Sequence, residues 1–250
     1  MTPLVSIVIA NFNYGRFLGE AIESALAQTH PRLEVLVVDD GSTDDSRDVA
    51  ARYSVRLLEQ ENAGVARARN RGANEARGEL VVFLDADDVL EPSFVERCWS
   101  ALATAPADVA YAYTQMQLFG DEDAVFASRE FHGPELLRNN FVPVTCLLRR
   151  DVFLAAGGFD PRFRAYEDWE LWLRLFARGH RGVLVPEPLL RYRRHGRTRD
   201  RISHDDAVAT LWEMRAANPR ASWRYWLRSP LAMARAARRL HGARRVADRR

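Results

Sequence analysis

The first half of the chain alternates short apolar runs with segments whose apolar side chains recur every three or four positions. The apolar runs predict strands at residues 5–10, 33–38, 55–58 and 80–84. The helical spacing predicts helices at residues 16–28, 43–53 and 63–76. Because strands that alternate with helices are typical of a parallel sheet with crossover helices, we expect an α/β fold with a mostly parallel central sheet flanked by helices.

The second half of the chain has a less regular pattern. Further strands are predicted at residues 108–113, 116–119 and 144–148, and a helix with a buried aromatic stripe is predicted at residues 166–177. From residue 197 onward the strand-like runs end and an Arg-rich helical pattern follows. We therefore expect one domain over residues 1–200 and a basic helical extension over residues 201–250.

Three carboxylates follow the apolar run at residues 80–84, namely Asp85, Asp87 and Asp88. Neighbouring carboxylates repel one another unless a positive charge lies between them. Mg²⁺ and Mn²⁺ prefer oxygen ligands and often complete their coordination with water and substrate phosphates. The pattern therefore predicts a divalent cation at a phosphate-binding site. The alternative, that an aspartate caps the next helix, stays open for Asp88, since Pro92 suits a position near the start of a helix.

Polar side chains also follow the first two predicted strands, at residues 11–13 and 39–40. In an open parallel sheet the C-terminal ends of the strands share one edge, and ligands bind at that edge. We therefore expect both groups to converge with the carboxylates that follow residue 84.

Composition indicates a globular protein with one large core. The chain has 250 residues, of which 47% are hydrophobic and 28% charged, and its two cysteines, Cys98 and Cys146, lack the spacing of a metal site. Buried, reduced thiols are the expected state of both. Because no apolar run reaches the length of a membrane span and the N-terminus shows no signal-like segment, we expect a cytoplasmic protein.

The charges are distributed unevenly along the chain. From residue 191 onward there are 17 arginines and five acidic residues, so the preceding part is acidic. An Arg-rich extension could lie on the inner face of a membrane or remain solvated, whereas nucleic acid is not an expected partner because the acidic body would oppose it. All 36 basic residues are arginines, which excludes a P-loop lysine and a Schiff-base lysine.

Eight motifs occur in an order that resembles family 2 glycosyltransferases with the GT-A fold. They are VSIVI at 5–9, NYGRF at 13–17, QT at 28–29, VVDDGSTD at 37–44, ARNRG at 68–72, FLDADD at 83–88, GGFD at 157–160 and YEDWELWLR at 166–174. The resemblance covers residues 3–196. It implies that residues 1–110 form a nucleotide-sugar-binding half and that residues 111–200 form an acceptor-binding half.

The resemblance implies roles for several residues of the first half. Asp85 and Asp87 match the DxD motif, in which Asp87 would contact a Mg²⁺ or Mn²⁺ ion that bridges the nucleotide diphosphate. Asp85 would contact the ribose or support the metal. Asp40 corresponds to the acid that hydrogen-bonds the nucleobase, and Arg69 corresponds to the arginine that lines the nucleotide pocket.

Ala10 and Phe12 depart from the common family pattern, and the role of His195 depends on the resemblance alone. Ala10 and Phe12 stand where many relatives have a proline or small polar residue and an aromatic residue that packs on the base. Phe12 keeps a stacking face but has no hydroxyl group. His195 matches a position after the last strand where a histidine approaches the metal or diphosphate, although an isolated histidine is more often a surface side chain.

Asp168 matches the acid of the family's Glu-Asp pair, with Glu167 as its partner, and this acid is the expected general base. An ordinary helix start, with carboxylates stabilised by the helix dipole, is the alternative for both. Trp169 is expected either to stack on the acceptor sugar or to pack in the core.

The resemblance implies an inverting glycosyltransferase that moves a sugar, from a UDP-sugar by preference, to a glycan, lipid-linked or small-molecule acceptor in polysaccharide biosynthesis. A nucleotide-sugar-binding protein without catalysis is one alternative. A nucleotidyltransferase is another, although such enzymes usually use a phosphate loop rich in glycine and lysine. A dinucleotide-dependent oxidoreductase is disfavoured because no G-x-G-x-x-G follows the first strand.

Overall fold

The computed structural model describes residues 2–137, 139–163 and 165–196. The strands there are β1 (Val5–Asn11), β2 (Leu33–Asp39), β3 (Arg56–Glu59), β4 (Leu80–Asp85), β5 (Val89–Leu90), β6 (Val109–Gly120), β7 (Ala124–Phe126), β8 (Leu147–Arg149) and β9 (Arg181–Arg194). The helices are α1 (Gly15–Leu26), α2 (Ser46–Ala50), α3 (Val65–Glu75), α4 (Phe94–Thr104), α5 (Gly133–Leu136), α6 (Arg150–Ala156) and α7 (Glu167–Ala177). None of these helices is both long enough and apolar enough to cross a membrane. The predicted basic extension at residues 201–250 and the boundary near residue 200 lie outside the described residues.

The strands form one sheet in the order β3-β2-β1-β4-β8-β6-β9-β5, and β7 pairs with β6. β3, β2, β1 and β4 are parallel neighbours, as the alternating pattern of the first half predicts. β8 runs antiparallel to both β4 and β6, and β6 is in turn parallel to β9. The C-terminal ends of β1, β2 and β4 therefore lie at the same edge of the sheet.

Helices cover both faces of the sheet at β1. Ile7 and Ile9 belong to the core cluster that includes α1 and α4, whereas Val8 belongs to the cluster that includes α3, α6 and α7. A strand buried on both faces has a near-continuous apolar sequence, and residues 5–10 are apolar except for Ser6. On the α3 face, a Cβ atom at Gly72 would lie 2.2 Å from Val8 Cγ1, so glycine allows α3 to pack closely on β1.

The structure differs from the sequence-based prediction in β6, at β5 and at the start of α4, among other places. β6 is one strand, whereas the pattern predicts two, and its register with β9 shifts around Gln115, between the two predicted strands. Residues 89–90, where the pattern predicts no strand, form the short strand β5, which pairs with β9. α4 then begins at Phe94, so Pro92 lies in the turn before the helix.

Cys98 and Cys146 are both buried and free, as predicted. Burial raises the pKa of both thiols, because the charged thiolate is poorly solvated in the core. Both therefore act as small apolar core residues.

Candidate active site

Two cavities adjoin at the edge of the sheet where the parallel strands end. The first, of about 330 Å³, is lined by residues that include Asn11, Phe12, Asp40, Arg69, Asp85 and Asp87. These side chains come from the ends of β1, β2 and β4 and from α3. The polar groups that follow three separate strands therefore converge, as the topology predicts.

Asp40 holds the loop that leads into α3. Its Oδ1 accepts hydrogen bonds from Gln60 Nε2 at 2.7 Å and from the backbone N–H of Ala63 at 2.8 Å, and its Oδ2 accepts one from the N–H of Gly64 at 2.8 Å. Asp40 is 3% exposed and lies at the wall of the first cavity. Each carboxylate oxygen can accept more than one hydrogen bond, so Asp40 can still bind a nucleobase. That contact stays a prediction.

Asp39, the residue before Asp40, shapes the predicted turn. Its Oδ2 accepts a hydrogen bond from the backbone N–H of Ser42 at 3.1 Å, and its Oδ1 accepts one from Asn11 Nδ2 at 3.0 Å. Asn11 Nδ2 also donates to Ser42 Oγ at 3.0 Å. These bonds fix the ends of β1 and β2 beside each other under the first cavity.

Arg69 lies where the two cavities meet and lines both of them. Its Nη2 lies 2.5 Å from Asp85 Oδ1 and its Nη1 lies 2.8 Å from Glu167 Oε1. Burial by itself would lower the pKa of Arg69, but the charges of Asp85 and Glu167 outweigh it and raise that pKa. Arg69 therefore stays charged and joins β4 to α7.

Asp87 meets His195 at the edge of the first cavity, where His195 Nε2 lies 2.9 Å from Asp87 Oδ2. Burial, followed by repulsion from Asp85, raises the pKa of Asp87, and the hydrogen bond to His195 offsets part of that rise. The structure thus brings together two of the three predicted metal ligands. Asp85, the third, is held by Arg69 on the adjacent wall.

Asp88 binds β9 instead of capping a helix. Asp88 is 2% exposed, and its Oδ1 accepts a hydrogen bond from the backbone N–H of Arg193 at 2.8 Å. The side chain of Arg193 donates from Nε to the carbonyl oxygen of Asp87 at 2.8 Å. Burial and the charges of Asp85 and Asp87 raise the pKa of Asp88 well above its usual value. Asp88 therefore has a structural role, but through β9, and the helix-cap interpretation that the sequence leaves open is wrong.

The carboxylates fit a divalent cation whose coordination a ligand completes. Over residues 2–137, 139–163 and 165–196, no group of three or more His, Cys, Asp or Glu side chains has a metal-binding arrangement by itself. Mg²⁺, however, is often held by one or two carboxylates together with substrate phosphates and water. A cation beside Asp85 and Asp87 would also relieve the repulsion that raises the pKa of Asp87. The residues therefore suit a metal that binds together with a diphosphate.

The second cavity, of about 570 Å³, shares Arg69, Asp85 and Tyr192 with the first. Glu167 and Asp168 line it from the first turn of α7. Tyr166, just before the helix, has a φ of 58°, a left-handed conformation that costs a non-glycine residue about 1–3 kcal/mol. This strained residue lies immediately before α7, whose first turn places Glu167 and Asp168 at the second cavity.

Asp168 has the protonation behaviour that a general base requires. Its Oδ2 accepts a hydrogen bond from Asn140 Nδ2 at 3.0 Å, and its Oδ1 accepts one from the backbone N–H of Trp169 at 2.7 Å. Burial and the charge of Glu167 raise the pKa of Asp168 to about 6, and the hydrogen bond from Asn140 acts in the opposite direction. A carboxylate that titrates near neutral pH can accept and release a proton under physiological conditions.

The other predicted site residues divide between cavity and core. Phe12 is 44% exposed and lines the first cavity together with half-buried Ala10. Trp169 is 5% exposed, and its indole Nε1 donates to the carbonyl oxygen of Leu136 at 2.6 Å. Trp169 lines neither cavity, which supports the packing interpretation of this residue.

Two cavity residues have no sequence motif that would have identified them. Asn140 lies in the irregular stretch between β7 and β8, and Tyr192 lies near the end of β9. Both reach the site through contacts between distant parts of the chain. Tyr192 is half-buried, as are its neighbours at the end of β9, so no alternation of burial marks it.

Comparisons with known sequences show the family of this chain. Residues 6–158 match the family described as glycosyl transferase family 2. The uncharacterized glycosyltransferase alr2836 of Nostoc sp. is 32% identical to this chain over 77% of the chain and 65% of its own length. TuaG of Bacillus subtilis, a glycosyltransferase provisionally named for teichuronic acid biosynthesis, is 30% identical over 76% of the chain and 79% of its own length. The chain spans a smaller part, 38%, of the glycosyltransferase GlyG of Streptococcus pneumoniae, to which it is 36% identical.

Solved structures show the same fold. The structure of S. aureus TarS in complex with UDP-GlcNAc matches with a TM-score of 0.72 at 17% identity, over 85% of this chain and 66% of that chain. The mannosyltransferase PcManGT of Pyrobaculum calidifontis, in complex with GDP-Man and Mn²⁺, matches with a TM-score of 0.65 at 22% identity, over 97% of this chain and 75% of that chain. These likenesses confirm the predicted GT-A fold.

Proposed function

Because this chain belongs to glycosyl transferase family 2, we propose that it transfers a sugar from a nucleotide diphosphate sugar, a UDP-sugar by preference, to a hydroxyl group of a glycan, lipid-linked or small-molecule acceptor. The observation that carries the proposal is the meeting of two cavities at Arg69 and Asp85, with Asp168 in the second. A transferase must hold two substrates side by side in a fixed orientation. A protein that only binds a nucleotide sugar would need the first cavity alone.

The first cavity is the proposed donor site. The exposed ring of Phe12 offers a face on which a nucleobase can stack, and the carboxylate of Asp40 lies at the same wall. The complexes of TarS with UDP-GlcNAc and of PcManGT with GDP-Man support a nucleotide diphosphate sugar as the donor class.

The diphosphate of the donor is proposed to lie beside Asp85 and Asp87. Asp87 and His195 would hold a Mg²⁺ or Mn²⁺ ion there, with Asp85 in support. When bound, such an ion supplies positive charge against the charge that develops on the leaving diphosphate. The Mn²⁺ complex of PcManGT supports this cofactor class.

The second cavity is the proposed acceptor site, with Asp168 as the general base. Asp168 would take the proton of the acceptor hydroxyl while that oxygen forms a bond to the anomeric carbon of the donor sugar. The bond from the same carbon to the diphosphate oxygen breaks in the same step. Because the acceptor attacks from the face opposite the leaving group, the anomeric configuration is inverted.

The proposed setting is polysaccharide biosynthesis at the cytoplasmic face of a membrane. The name of TuaG supports the first part of this proposal. The 17 arginines from residue 191 onward suit contact with anionic lipids. Co-sedimentation of the full chain with phosphatidylserine vesicles, but not with neutral vesicles, is the expected result, and equal recovery with both would contradict membrane contact.

The donor site is tested by calorimetric titration of the purified protein with UDP, GDP, CDP and TDP, each with and without Mn²⁺ or Mg²⁺. We expect metal-dependent binding of one nucleotide, with UDP favoured. Asp87→Ala should abolish the metal dependence, whereas Asp48→Ala, which removes an exposed carboxylate on α2, should leave it unchanged. Absence of binding by all four nucleotides would contradict the proposed function.

A further inference from the structure

Asn140 contacts the carboxylate that the proposed reaction needs as a base. Its Nδ2 donates to Asp168 Oδ2 at 3.0 Å, and both residues line the second cavity. The other oxygen of Asp168 accepts the N–H of Trp169 at 2.7 Å. Both carboxylate oxygens thus have a fixed donor, one from the backbone of α7 and one from a side chain outside this helix.

Two tryptophans of α7 anchor the backbone on either side of Asn140. Trp169 Nε1 donates to the carbonyl oxygen of Leu136 at 2.6 Å, and Trp172 Nε1 donates to that of Val142 at 3.1 Å. Both indoles are buried, at 5% and 0% exposure. The helix that carries Asp168 therefore also fixes the segment that carries the donor to Asp168.

The charge of Asp168 determines the orientation of the Asn140 amide. If the amide were rotated by half a turn, its oxygen would face the carboxylate, and the hydrogen bond would be replaced by repulsion. In the observed orientation Asn140 Oδ1 is buried, and no donor within the described residues reaches it. A buried amide oxygen without a donor is unfavourable, so the hydrogen bond to Asp168 has to compensate for that cost.

The charged groups around Asp168 are few. Glu167 on the same helix disfavours its ionised form, whereas Arg69 on α3 favours it. The thiol of Cys146, which lies just before β8, also faces it but is neutral because burial raises the pKa of that thiol. Asn140 is the side chain that donates a hydrogen bond directly to the carboxylate.

We propose that Asn140 is a positioning residue for Asp168, which holds the carboxylate in one orientation at the wall of the acceptor cavity and stabilises its charged form. This inference rests on the proposed role of Asp168 as the general base. The segment between β7 and β8 carries no recognised motif. The contact from Asn140 to Asp168 would give this segment a role in the chemistry.

The test is an NMR titration of Asp168 in protein labelled with ¹³C at the aspartate side-chain carboxyl carbon, with Asp168→Asn used to assign the signal. Removal of the donor in Asn140→Ala should raise the pKa of Asp168 by about one pH unit. Asn140→Asp, which keeps the size of the side chain but places a second carboxylate there, should raise it further. The matched control is Asn139→Ala, since the exposed neighbour Asn139 bonds Glu135 through its backbone and should leave the pKa unchanged.

The indole N–H signals of Trp169 and Trp172 report whether the anchored segment stays in place in each variant. A raised pKa with unmoved indole signals would establish the positioning role. An unchanged pKa in both Asn140 variants would overturn it, and so would a rise in Asn139→Ala equal to that in Asn140→Ala. Nucleotide titration of the same samples measures the donor site separately, so a failure of the proposed function remains distinguishable from a failure of this inference.

Discussion

Arg69 Nη2 lies 2.5 Å from Asp85 Oδ1 at the point where the first and second cavities meet. The same guanidinium binds Glu167 at 2.8 Å, so one buried cation neutralises two carboxylates from opposite sides of the site. Its side chain is 4% exposed, and that of Asp85 is 30% exposed. This ion pair joins the strand that carries the DxD motif to the helix that carries the proposed base.

Arg69→Leu should therefore destabilise the protein. Removal of one partner of a buried ion pair leaves uncompensated charge and typically lowers the free energy of unfolding by about 3–5 kcal/mol. Because Asp85 is partly exposed, we expect a loss of about 3 kcal/mol here. Urea denaturation measures the difference. Arg67→Leu, on the exposed face of the same helix, should change stability by less than about 0.5 kcal/mol. Equal losses in the two variants would contradict the assigned role of Arg69.

Phe12→Ala should weaken nucleotide binding roughly tenfold, or by about 1.4 kcal/mol, because an aromatic face that stacks on a base contributes about 1–3 kcal/mol. Phe12→Tyr should keep the affinity, since the ring remains. Leu26→Ala is the matched control, because Leu26 has a similar exposure of 45%, against 44% for Phe12, and lies away from the cavity. Calorimetry measures the affinity of each variant for the preferred nucleotide. An unaltered affinity in Phe12→Ala would exclude stacking by this ring.

Asp168→Asn should stabilise the fold while it removes the proposed base. Burial and Glu167 raise the pKa of Asp168 to about 6 in the folded protein, whereas an unfolded aspartate titrates near pH ~4. Because the folded protein binds this proton more tightly than the unfolded chain does, the raised pKa favours the folded state below pH ~4. That contribution to stability is lost as the pH rises to about 6. The variant should therefore gain up to about 3 kcal/mol over the natural protein above pH ~6 and nothing below pH ~4.

Urea denaturation at about pH 4, 6 and 8 measures this pH dependence. Asp160→Asn provides a control of opposite sign, because Arg162 lowers the pKa of Asp160 and the ionised carboxylate therefore stabilises the folded state. That variant should lose at most about 1 kcal/mol at neutral pH, since the pair is at the surface. A gain in Asp168→Asn that does not vary with pH would show that the charge of Asp168 is not its source.

Arg193→Ala should loosen the Asp85–Asp88 segment. Its guanidinium donates to the carbonyl oxygen of Asp87 and lies over the rings of Phe17 at 4.6 Å and Phe119 at 4.3 Å. Loss of these contacts should cost about 2 kcal/mol and accelerate hydrogen exchange at the amide of Asp88. Hydrogen exchange measures the rate at the Asp88 amide, and urea denaturation measures the change in the free energy of unfolding.

Arg191→Ala is the matched control for Arg193, since Arg191 also lies over Phe119, at 4.6 Å, but its side chain donates no hydrogen bond to the Asp85–Asp88 segment among the described residues. It should cost less than about 1 kcal/mol and leave the exchange of the Asp88 amide unaltered. Comparable acceleration of hydrogen exchange at the Asp88 amide in both variants would mean that stacking on Phe119, and not the hydrogen bond to Asp87, holds the Asp85–Asp88 segment in place.

The first half of the fold could be predicted because its signals are local. Each of β1, β2 and β4 is a mostly apolar run that ends on a polar group, and parallel topology alone brings those ends together. β9 lacks such a signal, because Pro186 and Pro188 interrupt a strand that nevertheless pairs with β6 through an irregular register. β7, α5 and α6 are too short for their periodicity to be distinctive.

The residue types of the site followed from motifs and resemblance, but their contacts did not. The order of the motifs was enough to identify the family and to single out the carboxylates at the sheet edge and Asp168 as candidates, because each is encoded within a few consecutive residues. The pairing of Asp87 with His195, the bridge from Asp85 through Arg69 to Glu167, and the bond from Asn140 to Asp168 arise only in the folded protein. They depend on how β9 and α7 pack against the parallel strands, and such long-range packing leaves no periodic pattern in the sequence.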